Sequence, residues 1–140
     1  MKINFFYDEV KYRSRNTGEI KLLIIKVIRN ENKIPGDLNF IFTSDNKIRE
    51  MNREFLNHDK FTDVIAFDYG IGNIINGEIY ISVDTVKINA GNYKVSFKSE
   101  IVRVIVHGTL HLCGYRDKKS NERVVMKRME ELWLMKFFGK

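Results

Sequence analysis

The chain has 140 residues, 24 Lys+Arg against 18 Asp+Glu, and a net charge of +6. Hydrophobic residues are 44% and charged residues 30%, an ordinary soluble balance, so one domain over 1–140 is expected. One cysteine excludes an internal disulfide, one proline and nine glycines exclude a collagen-like or Pro/Gly-rich disordered chain, and the basic surplus favours polyanionic partners, nucleic acid first.

The N-terminus, with Asp8 and Glu9, has no apolar signal-peptide core, and no apolar run approaches the roughly 18 residues of a membrane helix. A cytoplasmic address is expected. Met1 to Tyr7 reads as a strand. Asn16 to Glu31 reads as a helix, with Ile20, Leu23, Ile24, Val27 and Ile28 on one face and an Asn16–Glu19 capping box. Pro35 and Gly36 punctuate, and Leu38 to Thr43 is a strand. Ser44 or Asp45 caps a helix whose apolar residues are Ile48, Met51 and Phe55.

Asp63 to Phe67 and Glu78 to Val83 read as strands around a turn-rich segment, Asp68 to Gly77. Asp84 to Tyr93 is a short helix. Ser96 to Cys113 is apolar and partly β-branched, but its length and its bounding Ser96 and Gly114 predict a buried helix. Ser120 caps a last helix through Phe137, with Val124, Val125, Met129, Leu132 and Trp133 as core candidates. This order predicts an α/β (α+β) single-domain sandwich. Its three- to five-stranded mixed sheet is covered by helices, with a metal-binding motif at the end of the buried helix.

The chain has three histidines, His58, His107 and His111. The last two are spaced i, i+4 on the buried helix, about 5–6 Å apart at Cβ, close enough to share one metal ion. After the Gly114 stop, Asp117 can fold back as a third ligand and leave one position open. Such a pair can also be coincidental or satisfied in the core. Two features favour the metal: unpaired imidazoles on an apolar helix are costly to bury, and a carboxylate follows at a workable distance. Cys113 lies about 200° around the helix from His111, so it suits core packing. Gly108 stands where an HExxH peptidase has its glutamate base, which argues against that chemistry and favours close helix packing or substrate approach as the reason for the glycine.

The string His107-Gly108-Thr109-Leu110-His111-Leu112-Cys113-Gly114-Tyr115 resembles the histidine motif of the YbeY family, bacterial metal-dependent endoribonucleases of ribosomal RNA maturation. Asn52 with Thr62-Asp63-Val64-Ile65-Ala66-Phe67, and Gly77-Glu78-Ile79-Tyr80-Ile81-Ser82, are similar to two further family segments. The resemblance runs from about Leu38 to the last helix. Two positions depart from it. Asp117 stands at the family's third histidine, and Leu56 stands where the family usually places an arginine.

The resemblance implies a single-strand-specific endoribonuclease that matures the small-subunit 16S rRNA 3′ end and serves ribosome quality control. It would hydrolyse phosphodiesters with a metal-activated water. His107, His111 and Asp117 would hold one divalent ion per chain, zinc being the expected one. His58 is either a solvated loop residue or a general acid/base, and Asp59 and Asp63 suit turn and cap roles as well as any other. Arg53, Lys60, Lys98 and Arg116 are candidate RNA contacts. Phe61 and Tyr93 are either core residues or stacking platforms. Single-stranded or ribosomal RNA and the small ribosomal subunit or its proteins are the implied partners, and a monomer without a membrane partner is expected. Leu56 keeps open an RNA-binding assembly factor with a structural metal and little nuclease activity. A metal-dependent hydrolase of another ester or amide is the third reading.

Overall fold

The computed structural model of the chain describes residues 1–56 and 62–139. Among them the order is β1 (Lys2–Tyr7), α1 (Thr17–Asn30), β2 (Ile34–Thr43), α2 (Asp45–Leu56), β3 (Val64–Asp68), β4 (Ile74–Ser82), α3 (Val83–Tyr93), α4 (Phe97–Leu112) and α5 (Ser120–Phe138). The sheet is four-stranded and mixed, in the order β1-β2-β4-β3. β1 pairs parallel to β2 and β2 parallel to β4, while β3 runs antiparallel to β4 as an edge hairpin.

Alternation along the strands sorts two faces. Leu38, Phe40 and Phe42 of β2 and Ile75, Ile79 and Ile81 of β4 point into one core with Ile20, Leu23, Ile24, Val27 and Ile28 of α1. On the opposite face, Ile65 and Tyr80, register partners on β3 and β4, meet Ile48 and Met51 of α2. Helix α4 lies between sheet and outer helices, packed against β3, β4, α1, α3 and α5. Its Val102, Val104, Ile105 and Val106 are all buried, so tertiary burial overrides the β preference of that run. Thr109, buried with them, donates its hydroxyl to the Ile105 carbonyl at 2.8 Å. Gly108 permits the close approach: a Cβ there would lie 2.8 Å from Ile79 Cγ2.

Several local expectations are corrected. Asn16 precedes α1 in the left-handed region (φ 57°) and makes no side-chain cap bond, so no capping box with Glu19 forms. β2 begins at Ile34 and takes in Pro35 and Gly36. The register shifts between Pro35 and Leu38, and this irregularity accommodates a residue with no N–H to donate. β4 begins at Ile74, so the expected long loop shrinks to a tight hairpin in which Ile71 bridges Ile74. Ser120 is the first residue of α5, not its cap. The Glu122 carboxylate instead accepts from the Lys118 and Lys119 N–H groups at 3.2 and 2.9 Å. The inward line of α5 is Met126, Glu130 and Trp133. Val124, Val125 and Leu132 lie off it and are exposed, while Met129 is partly buried against the core. Phe55 is exposed and touches Phe67 only edge-on.

Candidate metal centre

The last turns of α4 carry His107 and His111 on one side, with ring centroids 4.6 Å apart. The helix then stops. Cys113 and Gly114 N–H groups close onto the last carbonyls, and Gly114 leaves at φ 107°, a conformation that suits a residue without Cβ. Tyr115 N–H folds back to the Leu110 carbonyl at 3.0 Å, and two residues later Asp117 returns over the histidines. Asp117 Oδ2 lies 3.2 Å from both His107 Nε2 and His111 Nε2. One ligand atom from each of the three residues lies within 4.8 Å of the others.

Both rings are held from behind. His111 Nδ1 is 2.9 Å from the Tyr115 carbonyl, an acceptor only, so Nδ1 carries the proton and Nε2 keeps its lone pair. His107 Nδ1 is 2.5 Å from Glu130 Oε2, which imposes the same tautomer. Orientation of metal-ligating imidazoles by a carboxylate and a carbonyl is the usual second layer of such sites. Burial works against a charged His107, but the hydrogen bond and charge of Glu130 outweigh it and raise its pKa above the ordinary value. Burial likewise favours a neutral Glu130, yet His107 and Arg103 hold its pKa below the usual carboxylate range.

Arg103 anchors Glu130. Its Nε and Nη2 donate to Glu100, its Nη1 to Glu130 Oε1 at 2.9 Å, and its Nη2 reaches Asp63 Oδ2 at 3.3 Å. Glu100 and Glu130 are almost fully buried, so the guanidinium compensates charges that would otherwise stand alone. Sequence reasoning missed Glu100, Arg103 and Glu130, and for Asp63 weighed turn and cap roles equally with any other. A signal existed for Arg103: it recurs with His107 and His111 at i, i+4, i+8 on a mostly apolar helix.

The other expected site residues fall in different places. Arg116 is exposed in the loop beside Asp117. Lys98 lies nine residues, about 14 Å, before His107 along α4, in a cavity with Arg13 and Arg15. Arg53 is exposed on α2, which packs on the other face of the sheet. His58, Asp59, Lys60 and Phe61 lie outside the described residues. Leu56 is the last residue of α2. Cys113 packs against the core, as expected.

Fold and site together define an α/β protein whose central helix presents a two-histidine, one-carboxylate cluster that can hold a metal ion. The model of the family described as Endoribonuclease YbeY matches residues 4–138. The Endoribonuclease YbeY of Flavobacterium psychrophilum is 43% identical, over 99% of this chain and 98% of its own. That of Christiangramia forsetii is 42% identical over 93% of this chain and 90% of its own. The solution structure of TM1509 from Thermotoga maritima superposes with a TM-score of 0.63 at 26% identity, covering 98% of this chain and 89% of that one. The chain belongs to the endoribonuclease YbeY family.

Proposed function

We propose that this protein is a metal-dependent endoribonuclease that cuts single-stranded ribosomal RNA in the cytoplasm, during maturation of the small-subunit 16S rRNA 3′ end. The observation that carries the reading is the convergence of His107 Nε2 and His111 Nε2 on Asp117 Oδ2 at 3.2 Å, with both Nδ1 atoms already committed to acceptors. The donor set fits a divalent ion. Two imidazole nitrogens and one carboxylate oxygen leave a position open, the ligand count of catalytic rather than structural zinc. We assign zinc on that ground, one ion per chain.

A zinc ion held there supplies Lewis-acid polarisation of a phosphate oxygen and lowers the pKa of an attacking water. The chain's own residues do the rest. Glu130 and the Tyr115 carbonyl keep the imidazoles in the ligating tautomer. Asp117 contributes an anionic ligand in place of the family's histidine, lowering the net charge at the site by one unit. Arg116, next in sequence to Asp117, is the phosphate contact of this reading, a role that a leucine at position 56 cannot take. Arg53, Lys60 and Lys98 extend the charge available to the RNA backbone. His58 is the proton carrier of this reading. Asp63, five residues after it, is held by Arg103 next to Glu130.

Metal analysis tests the assignment. Purified untagged protein dialysed against zinc should hold about one zinc per chain, and Asp117→Ala should lose it while keeping its far-UV circular dichroism. Wild-type protein without zinc after such dialysis would refute the centre. Zinc retained equally by Asp117→Ala and wild type would mean a different third ligand.

A further inference from the structure

Beside the metal-ligating residues lies a cavity of about 640 Å³ between the α3–α4 turn and α5. His107 and Asp117 form part of its wall. Tyr93, Val95, Met126 and Leu134 give it apolar surface; Arg123 and Lys127, one helical turn apart, bring positive charge, while Glu100, Glu130 and Glu131 bring negative charge to the rest of the wall. We propose that this cavity receives one unpaired nucleobase of the RNA, the base next to the scissile phosphate. Tyr93 is its stacking platform, and Arg123 and Lys127 face the adjoining phosphate. The proposal rests on the nuclease reading of the histidine cluster.

Four observations support this occupant. The volume falls within the roughly 300–1,000 Å³ of small-molecule sites, and most of the lining surface is apolar, with charged groups of both signs around it. An aromatic ring beside basic side chains is what a flat base on a phosphodiester chain requires. The cavity is continuous with the reacting centre, because His107 and Asp117 belong to both. Finally, the platform is built rigidly. Lys94 takes the left-handed conformation (φ 57°), Val95 N–H returns to the Ala90 carbonyl at 3.0 Å, and Ser96 Oγ caps α4 by accepting from Ser99 N–H. Tyr93 and Val95 are thus fixed between two capped helix ends, yet they are 60% and 43% exposed. Arg123 Nη1 donates to the Lys118 carbonyl, which ties it to the loop that carries Asp117. A base must leave its stack and its partner to enter, so the cavity itself selects for single strands.

The test is steady-state kinetics of the full zinc-loaded chain on a short single-stranded RNA, and on the same RNA made abasic on either side of the cut. Tyr93→Ala should raise KM about tenfold, within the range of base–aromatic stacking, while Tyr93→Phe stays within about twofold. With the flanking base removed, wild type and Tyr93→Ala should become alike. Lys127→Glu, at an exposed position, should also raise KM at unchanged zinc content. An unchanged KM in Tyr93→Ala, or a penalty that persists on both abasic RNAs, overturns the proposal. A wild-type protein that binds the RNA with the same Tyr93 dependence but never cuts it would sink the nuclease reading and leave the subsite standing. Chelator-sensitive cutting that ignores Tyr93 and Lys127 would do the reverse. Neither binding nor cutting would end both.

Discussion

His107 and His111 differ in what stands behind them, and the difference can be measured. His111 leans on a backbone carbonyl that no substitution removes, whereas His107 leans on the Glu130 side chain. Glu130→Ala should therefore weaken zinc binding by about 10- to 100-fold, the usual effect of losing a ligand's orienting partner. A competition titration with a chelating dye reads this directly, and equal affinity would show that His107 needs no such support. Cys113 illustrates the opposite case of an inert group near a site. Burial and then the nearby Glu31 charge push its thiol up to about 12. A raised thiol pKa means a protonated, unreactive sulfur at pH 8. Alkylation by iodoacetamide should run over 100-fold slower than for a free cysteine of pKa about 8.5, as followed by intact mass. A rate near that of the free thiol would show that the sulfur is accessible and ionised.

At the scale of elements, α4 does most of the positioning. It is pressed against β4 at Gly108, which brings its last turns and both histidines to a fixed height over the sheet. Gly108→Ala would drive a Cβ to 2.8 Å from the Ile79 Cγ2, part of a stiff β-branched side chain. It should cost about 1–3 kcal/mol in urea unfolding, and stability within experimental error of wild type would mean that helix and strand are not in tight contact. Helix α4 was legible in the sequence because its caps and length outweigh its β-branched composition, and α1 was legible from one apolar stripe. Helix ends and strand starts were less so. Asn16 takes a left-handed backbone that disables its side chain as a cap, and Pro35 enters a strand at a register shift that sequence patterning does not announce. On α5, neighbouring apolar residues hid the true inward line, Met126, Glu130 and Trp133. Glu130 was therefore not seen as a site residue, because a buried carboxylate reveals itself only through partners distant in sequence.

At the scale of the whole molecule, the site exists because two adjacent segments and a more distant one meet. The end of α4 brings the histidines, the following loop brings Asp117, and the middle of α5 brings Glu130, with Arg103 linking α4 to α5 and to Asp63 at the start of β3. The three metal-ligating candidates were legible in sequence because they sit within eleven residues, from His107 to Asp117. The layer behind them was not, since it spans from Asp63 to Glu130. The net charge of +6 agrees with an RNA substrate, although charge alone selects no particular one. The most direct test of the central claim is incubation of single-stranded ribosomal RNA with wild-type protein and with His111→Ala purified identically. A metal-dependent nuclease requires cutting by the zinc-loaded wild type, abolished by chelator and by His111→Ala. Equal cutting by both proteins, or none by a folded wild type holding one zinc per chain, would contradict it.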